Sequence, residues 1–112
     1  MEIEERTIGE VKVLDLSGRI TVATGTPRLR SAIEAMVQQG YVKILVNLAG
    51  VTYLDSAGLG ELVIAFNLAR RAGGSLKLEN AIQRISDLLV AAKLQDMLEN
   101  FNSEESAIRS FS

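Results

Sequence analysis

An apolar run near the middle of the chain constrains the fold more than any other feature. Residues 42–48 are apolar except for Lys43 and Asn47, a pattern typical of a central strand buried on both faces. A stripe at helical spacing follows, made of Leu59, Leu62, Val63, Phe66 and Ala69. Gly73 and Gly74 should end that helix, and residues 75–79 read as the next strand. Strand, helix and strand in this order predict a right-handed βαβ unit with parallel pairing.

The flanking segments complete an α/β domain. Two β-rich runs precede a helix, and after residue 79 we expect a third helix, a short strand and a last helix; the segments are 3–8, 11–16, 27–37, 82–92, 98–101 and 103–111. The first two runs form a hairpin that turns at Gly9 and Glu10, and residues 49–58 are expected to connect the central strand to its helix. Residues 1–112 should therefore form a single domain, with a mixed sheet of four to five strands and helices mainly on one face.

Composition excludes several classes of function. The chain contains neither cysteine nor histidine. Thiolate nucleophiles, the commonest metal ligand and the usual general base are therefore missing, and Ser-His-Asp hydrolysis cannot run within this chain. The net charge of −2 gives no field that would attract nucleic acid or an acidic membrane. We expect a protein that is not an enzyme, with no catalytic residue, no metal and no cofactor.

Targeting signals are also missing from the sequence pattern. The charged start, residues 1–6, is not followed by an apolar run, so it does not resemble a secretory signal. No stretch approaches the ~20 apolar residues of a membrane-spanning helix. We expect a cytoplasmic protein without membrane insertion.

The strongest local signal is the segment 54–60, Leu-Asp-Ser-Ala-Gly-Leu-Gly, at a helix start. Ser and Asp are favoured there as N-caps, so capping alone could explain Ser56. Capping does not require Gly58 and Gly60, which each weaken a helix by roughly 1 kcal/mol relative to Ala but permit close approach to the backbone. A helix N-terminus also favours an anion. The pattern is compatible with either a phosphorylated serine or a phosphate-bearing ligand.

The chain resembles the STAS domain, and more narrowly the single-domain bacterial anti-sigma-factor antagonists. The resemblance covers nearly the whole chain in order, and the segments that carry it are 18–20, 43–48, 51–60 and 73–80. Its most specific elements are D-S-x-G-x-G at residues 55–60 and G-G-S-L-K-L-E-N at residues 73–80.

The resemblance implies a binding switch. Such proteins bind an anti-sigma factor that is also a serine kinase, and binding frees the sigma factor. The kinase phosphorylates the serine of the motif, here Ser56, which releases the antagonist, and a metal-dependent Ser/Thr phosphatase restores it. The implied partner-binding residues are Asp55, Ser56, Ala57, Gly58, Leu59, Gly60, Thr21 and Thr24. An exposed apolar surface is expected around Leu59 and the loop 21–25, with the two glycines keeping it low for kinase docking.

Two departures from the family pattern concern the partner and the acceptor. Thr21 stands where many members have a carboxylate that helps recognise the kinase, and Arg19 makes the preceding turn basic. Ala57 stands where Ser or Thr is common, so Ser56 is the one hydroxyl of the motif. The first departure leaves the partner's identity open, whereas the second favours Ser56 as the acceptor.

Other functions remain to be weighed. A STAS scaffold or adaptor subunit, in a stress-signalling complex or a lipid-transport system, would share every fold feature without a phosphorylation switch. A dinucleotide site would use Gly58, Gly60 and Glu79, but Val63 replaces its third glycine and nine residues separate Leu48 from Gly58. A Ser hydrolase would need glycine in place of Leu54, and a histidine.

Overall fold

A mixed five-stranded sheet forms the centre of the molecule in the computed structural model, which describes residues 1–22 and 26–112. The strands are β1 (Glu2–Ile8), β2 (Val11–Ile20), β3 (Lys43–Leu54), β4 (Ser75–Glu79) and β5 (Asn100–Phe101). They lie in the order β1-β2-β3-β4-β5. Only β1 and β2 pair antiparallel, and each later pair is parallel. The predicted hairpin, βαβ unit and mixed sheet are confirmed.

The helices within the described residues cover the two faces of the sheet unequally. They are α1 (Thr26–Gln38), α2 (Ser56–Arg71), α3 (Gln83–Ala91) and α4 (Glu104–Ser110). The larger core joins α1, α2 and α3 to one face, through side chains such as Ile33, Leu62 and Ile85. A smaller cluster lies on the other face, where Ala107 of α4 meets Val13 and Leu45. None of the described helices is both long and apolar enough to cross a membrane.

Strand β3 is longer than the sequence pattern predicts. Residues 49–54, expected to belong to a connection, continue the strand as far as Leu54. They pair with the end of β2 after two register shifts, one between Asp15 and Ser17 and one between Gly18 and Arg19. Each shift places one extra residue on β3, which is the signature of a β-bulge. The predicted connection is therefore wrong: a single residue, Asp55, separates β3 from α2.

Candidate functional site

Asp55 organises the point where β3 passes into α2. Its Oδ1 accepts a hydrogen bond of 2.8 Å from the N–H of Gly58, so Asp55 is the N-cap of the helix. Its Oδ2 accepts a second hydrogen bond, of 3.3 Å, from the N–H of Val22. Its own N–H donates to the carbonyl of Ile20 at 3.3 Å. One side chain thus fixes both the helix start and the chain that leaves β2.

Ser56 is the first residue of α2 and is exposed to solvent. Because Asp55 supplies the cap, capping does not account for Ser56. Its hydroxyl makes no hydrogen bond within the part of the chain that the structure describes, residues 1–22 and 26–112. The side chain is therefore placed where a second protein can reach it.

The chain after β2 comes to lie beside this helix start. The side chain of Val22 is 73% exposed, the most exposed large apolar side chain among the described residues. Its backbone bond to Asp55 keeps it next to Ser56. Thr21 is only 9% exposed, so little of its side chain is left for a partner to contact. Thr24 lies outside the described residues.

The two glycines of the motif have different surroundings. Gly58 is buried, and a Cβ atom there would lie 2.2 Å from the carbonyl oxygen of Ile20 and 2.8 Å from Cδ1 of Leu54. It lets α2 pack against the end of β2, so the expectation that it lowers a docking surface is wrong. A Cβ at Gly60 would meet nothing within 4 Å. Only Gly60 fits that expectation.

An apolar groove of about 290 Å³ opens beside Ser56. It runs from the end of β3 to the end of α3 and is lined by Leu54, Asp55, Ser56, Leu59, Leu88, Ala91 and Ala92. Sequence reasoning missed the α3 residues, because they follow Ser56 by more than thirty positions. One signal was present: Leu88, Val90 and Ala91 are apolar positions off the buried stripe of Ile85 and Leu89. The groove and the side chain of Val22 thus form an apolar surface around the start of α2.

A basic side chain, that of Arg19, lies at the same end of the sheet. Arg19 and Tyr53 are register partners on β2 and β3, and the guanidinium carbon of Arg19 lies 4.5 Å from the centre of the Tyr53 ring. They directly precede the pair Ile20 and Leu54, next to Asp55. The basic residue that departs from the family pattern is thus held on an aromatic face near the candidate site.

The structure removes the dinucleotide interpretation. Glu79 would have to reach a ribose, but its exposed fraction is 0%. Gly58 would have to admit a pyrophosphate, but it packs against the carbonyl of Ile20. Neither group is open to a nucleotide.

Comparison with known proteins assigns the chain to a family. The STAS domain family model matches residues 2–107. The chain therefore belongs to the STAS domain family, as its sequence resemblance indicates. Among characterised relatives, it is similar to the anti-sigma-B factor antagonist of Bacillus subtilis strain 168, with 32% identity over 96 residues that cover 86% of each chain.

Solved structures agree with this assignment at the level of the fold. An anti-sigma factor antagonist from Mycobacterium paratuberculosis matches with a TM-score of 0.81 and 21% identity, over 98% of this chain and 92% of that one. The phosphorylated form of the Bacillus cell fate determinant SpoIIAA matches with a TM-score of 0.75 and 19% identity, over 99% of this chain and 100% of that one. The predicted α/β class is confirmed.

Proposed function

We propose that this protein is an anti-sigma-factor antagonist that works as a phosphorylation-controlled binding switch. Unphosphorylated, it binds an anti-sigma factor and so frees a sigma factor. The observation that carries the proposal is the position of Ser56, which is exposed at the start of α2 and borders an apolar groove. Asp55 caps the helix, so Ser56 is not needed as the cap. Relatives described as anti-sigma-B factor antagonists support the same role.

Phosphorylation of Ser56 reverses binding through charge. A phosphoserine carries about −1.5 to −2 charges at pH 7. Here that charge would lie beside the carboxylate of Asp55 and at the mouth of a groove lined mainly by apolar side chains. A partner closing over it would have to desolvate the dianion next to a second acid. The phosphate should leave the fold unaffected, because the Ser56 hydroxyl makes no hydrogen bond to the described residues.

The partner that fits this chemistry is an anti-sigma factor with serine kinase activity, which docks on the groove, Val22 and Gly60. A metal-dependent Ser/Thr phosphatase would remove the phosphate. The chain contributes an acceptor and a docking surface and catalyses no step itself. Such a switch operates where transcription is controlled, so the location that we propose for the protein is the cytoplasm.

Substitution of Ser56 tests the switch directly. Ser56→Asp should remain folded but bind the anti-sigma factors of the same genome more weakly than wild type by roughly 100-fold or more, because opposed like charges in an interface cost several kcal/mol. Ser56→Ala should bind like wild type. The measurement is isothermal titration calorimetry in the presence of ADP. Ser112→Asp is the matched control, because Ser112 is exposed beside Gly9 and Lys43, where β2 and β3 begin.

Phosphate transfer separates this function from a passive scaffold. Incubation with ATP and the anti-sigma factor that binds in this titration should add one phosphate, which mass spectrometry should locate on Ser56. Ser56→Ala should gain none. A wild-type chain that binds but stays unmodified would instead be a scaffold or adaptor, and equal affinity of Ser56→Asp and wild type would refute the charge mechanism.

A further inference from the structure

A cluster of charged side chains lies on the face of the sheet that α4 covers, away from Ser56. Asp15, Asn47 and Glu79 are register neighbours on β2, β3 and β4. Glu104, the first residue of α4, joins them. One carboxylate oxygen from each of Asp15, Glu79 and Glu104 lies within 4.8 Å of the others. Three acids are thus held together where a helix meets the sheet.

Arg6 forms ion pairs with two of these acids, Asp15 and Glu104, and leaves the third without an ion pair among the described residues. Its Nε and Nη2 donate to Asp15 at 2.6 and 2.8 Å. Its Nη1 and Nη2 donate to Glu104 at 2.9 and 2.7 Å. Asn47 adds a hydrogen bond of 2.8 Å to Asp15. The guanidinium therefore ties β1 to both β2 and α4.

Glu79 is the acid without a cation. Its side chain is wholly buried, and neither of its carboxylate oxygens meets a donor within residues 1–22 and 26–112. Burying an ionised carboxylate without a partner is costly, and two ionised carboxylates can only accept. A proton on Glu79 removes both problems, since the neutral acid can donate to Glu104.

We propose that Glu79 and Glu104 share one proton, and that this carboxyl–carboxylate bond, together with Arg6, forms a pH-sensitive latch that fastens α4 to the sheet. When the proton is lost, the negative charge of Glu79 repels those of Glu104 and Asp15, and Arg6 is the one guanidinium in the cluster to offset three carboxylates. The latch then loosens, and α4 begins to separate from β2, β3 and β4. This inference is independent of the function proposed for Ser56.

The electrostatic surroundings agree with this geometry. Burial is the main cause that raises the pKa of Glu79 to about 8, followed by the hydrogen bond that a protonated Glu79 can donate to Glu104 and by the charge of Glu104. The charge of Arg6 acts against this, and that of Asp15 adds to it. On β4 itself, the ammonium of Lys77 points along the same face but is bonded to the carbonyl and hydroxyl of Ser110. Lys77 therefore holds the far end of α4 and leaves the start of the helix to the latch.

The sign of the pH dependence follows from the raised pKa of Glu79. A carboxyl group that binds its proton more tightly in the folded state stabilises the fold fully below its unfolded pKa, near 4.5. That contribution is lost progressively as the pH rises, and it has disappeared above about 8. Since a carboxylate oxygen of Glu79 lies within 4.8 Å of one of Glu104 on α4, the loss should be greatest at that helix.

Carbon-13 NMR of glutamate-labelled protein tests the shared proton, first in wild type. The Glu79 carboxyl should titrate well above the ordinary range for glutamate, and Glu104 should remain ionised there. Glu104→Gln, whose amide can donate to Glu79, should lower the titration midpoint of Glu79. Titration of wild-type Glu79 near pH 4.5 would overturn the proposal.

Hydrogen exchange tests the release of α4. Between about pH 6 and pH 9, after correction for intrinsic exchange, protection of the amides of residues 104–110 should fall by about tenfold or more, the effect of one unit of pKa difference. Glu79→Gln keeps the shape and a donor without the titration, so it should abolish this fall. Glu34→Gln, at an exposed position on α1, is the charge control and should behave like wild type.

One further outcome would contradict the latch. If Ca²⁺ or Mn²⁺ at pH 7 raises the melting temperature of wild type but not of Glu79→Gln, the occupant of the cluster is a divalent cation rather than a proton. With a shared proton, neither ion should have an effect, because Arg6 already binds Asp15 and Glu104.

Discussion

At the scale of single residues, Asp55 and Ser56 have different roles at the start of α2, although either could have capped the helix. Both are residue types that cap helices, so the sequence could place the helix start but could not assign the cap. The structure assigns it to Asp55, which also binds the N–H of Val22. That second bond depends on how β2 ends, 33 positions earlier, and no local pattern reports it. The sequence therefore predicts Ser56 as the candidate acceptor, and the tertiary geometry explains why its side chain is exposed.

Gly58 and Gly60 form a matched pair within one turn of α2. Gly58→Ala should destabilise the fold by about 2 kcal/mol, because the new methyl group would overlap the carbonyl of Ile20 and the side chain of Leu54. Gly60→Ala should be neutral or stabilise by up to about 1 kcal/mol, since space is open there and Ala favours a helix. Urea denaturation followed by circular dichroism measures both. Similar unfolding free energies for the two variants would show that Gly58 does not serve this packing.

At the scale of elements, β3 shows where periodicity fails. The sequence pattern places Ala49 and Gly50 in the connection after the central strand, yet Gly50 lies inside a strand with a register shift on its N-terminal side. A Cβ at Gly50 would lie 2.9 Å from that of Ser17, so only glycine permits the close approach of β2 and β3 at this point. The glycine marks a bulge rather than the end of a strand. Residues 49–54 could be assigned to β3 only from their pairing with β2, which the sequence does not show. By contrast, α1, β4 and α4 depend on local sequence signals and were predicted well.

The attachment of β1 to α4 depends on Arg6. Arg6→Gln should destabilise the protein by about 1–2 kcal/mol, a modest value because the Arg6 side chain is 41% exposed, but larger than a lone surface pair contributes because two acids lose their cation together. Arg109→Gln makes the same change of charge in an exposed pair with Glu105 on α4 and should cost less than about 0.5 kcal/mol. Thermal unfolding distinguishes the two variants. Equal melting temperatures would show that Arg6 does not stabilise the protein by joining β1 to α4.

At the scale of the whole molecule, the acids around Arg6 change the free energy of unfolding with pH in opposite directions. The hydrogen bond from Arg6 is the main cause that lowers the pKa of Glu104 to about 2, and it lowers the pKa of Asp15 as well. Their contribution is present above the ordinary pKa near 4 and is lost as the pH falls below it. Glu79 acts in the other direction, so unfolding free energy measured in urea should be highest near about pH 5 and fall towards both pH 3 and pH 8. In Glu79→Gln the alkaline decline should disappear and the acid decline should remain; an unchanged alkaline decline would place its origin elsewhere.

The two faces of the molecule differ in how far the sequence could predict them. The larger core follows the apolar periodicity of α1, α2 and α3. The cluster under α4 joins β1, β2, β4 and α4 through Arg6, Asp15, Glu79 and Glu104, which a sequence presents as scattered charges. Charged residues carry no periodic signal of burial, and Glu79 is buried because of its neighbours in the sheet. Its role emerges only from the assembled structure.

The division of labour between Asp55 and Ser56 has a consequence for how such proteins can diversify. Since the residue that caps the helix is not the residue that carries the exposed hydroxyl, gene duplication can alter one and spare the other. Under the proposed switch, a copy with alanine at position 56 would stay permanently engaged, and a copy with aspartate there would stay permanently detached. Both would inherit an intact fold, so paralogues with fixed outputs lie a single codon away from the reversible ancestor.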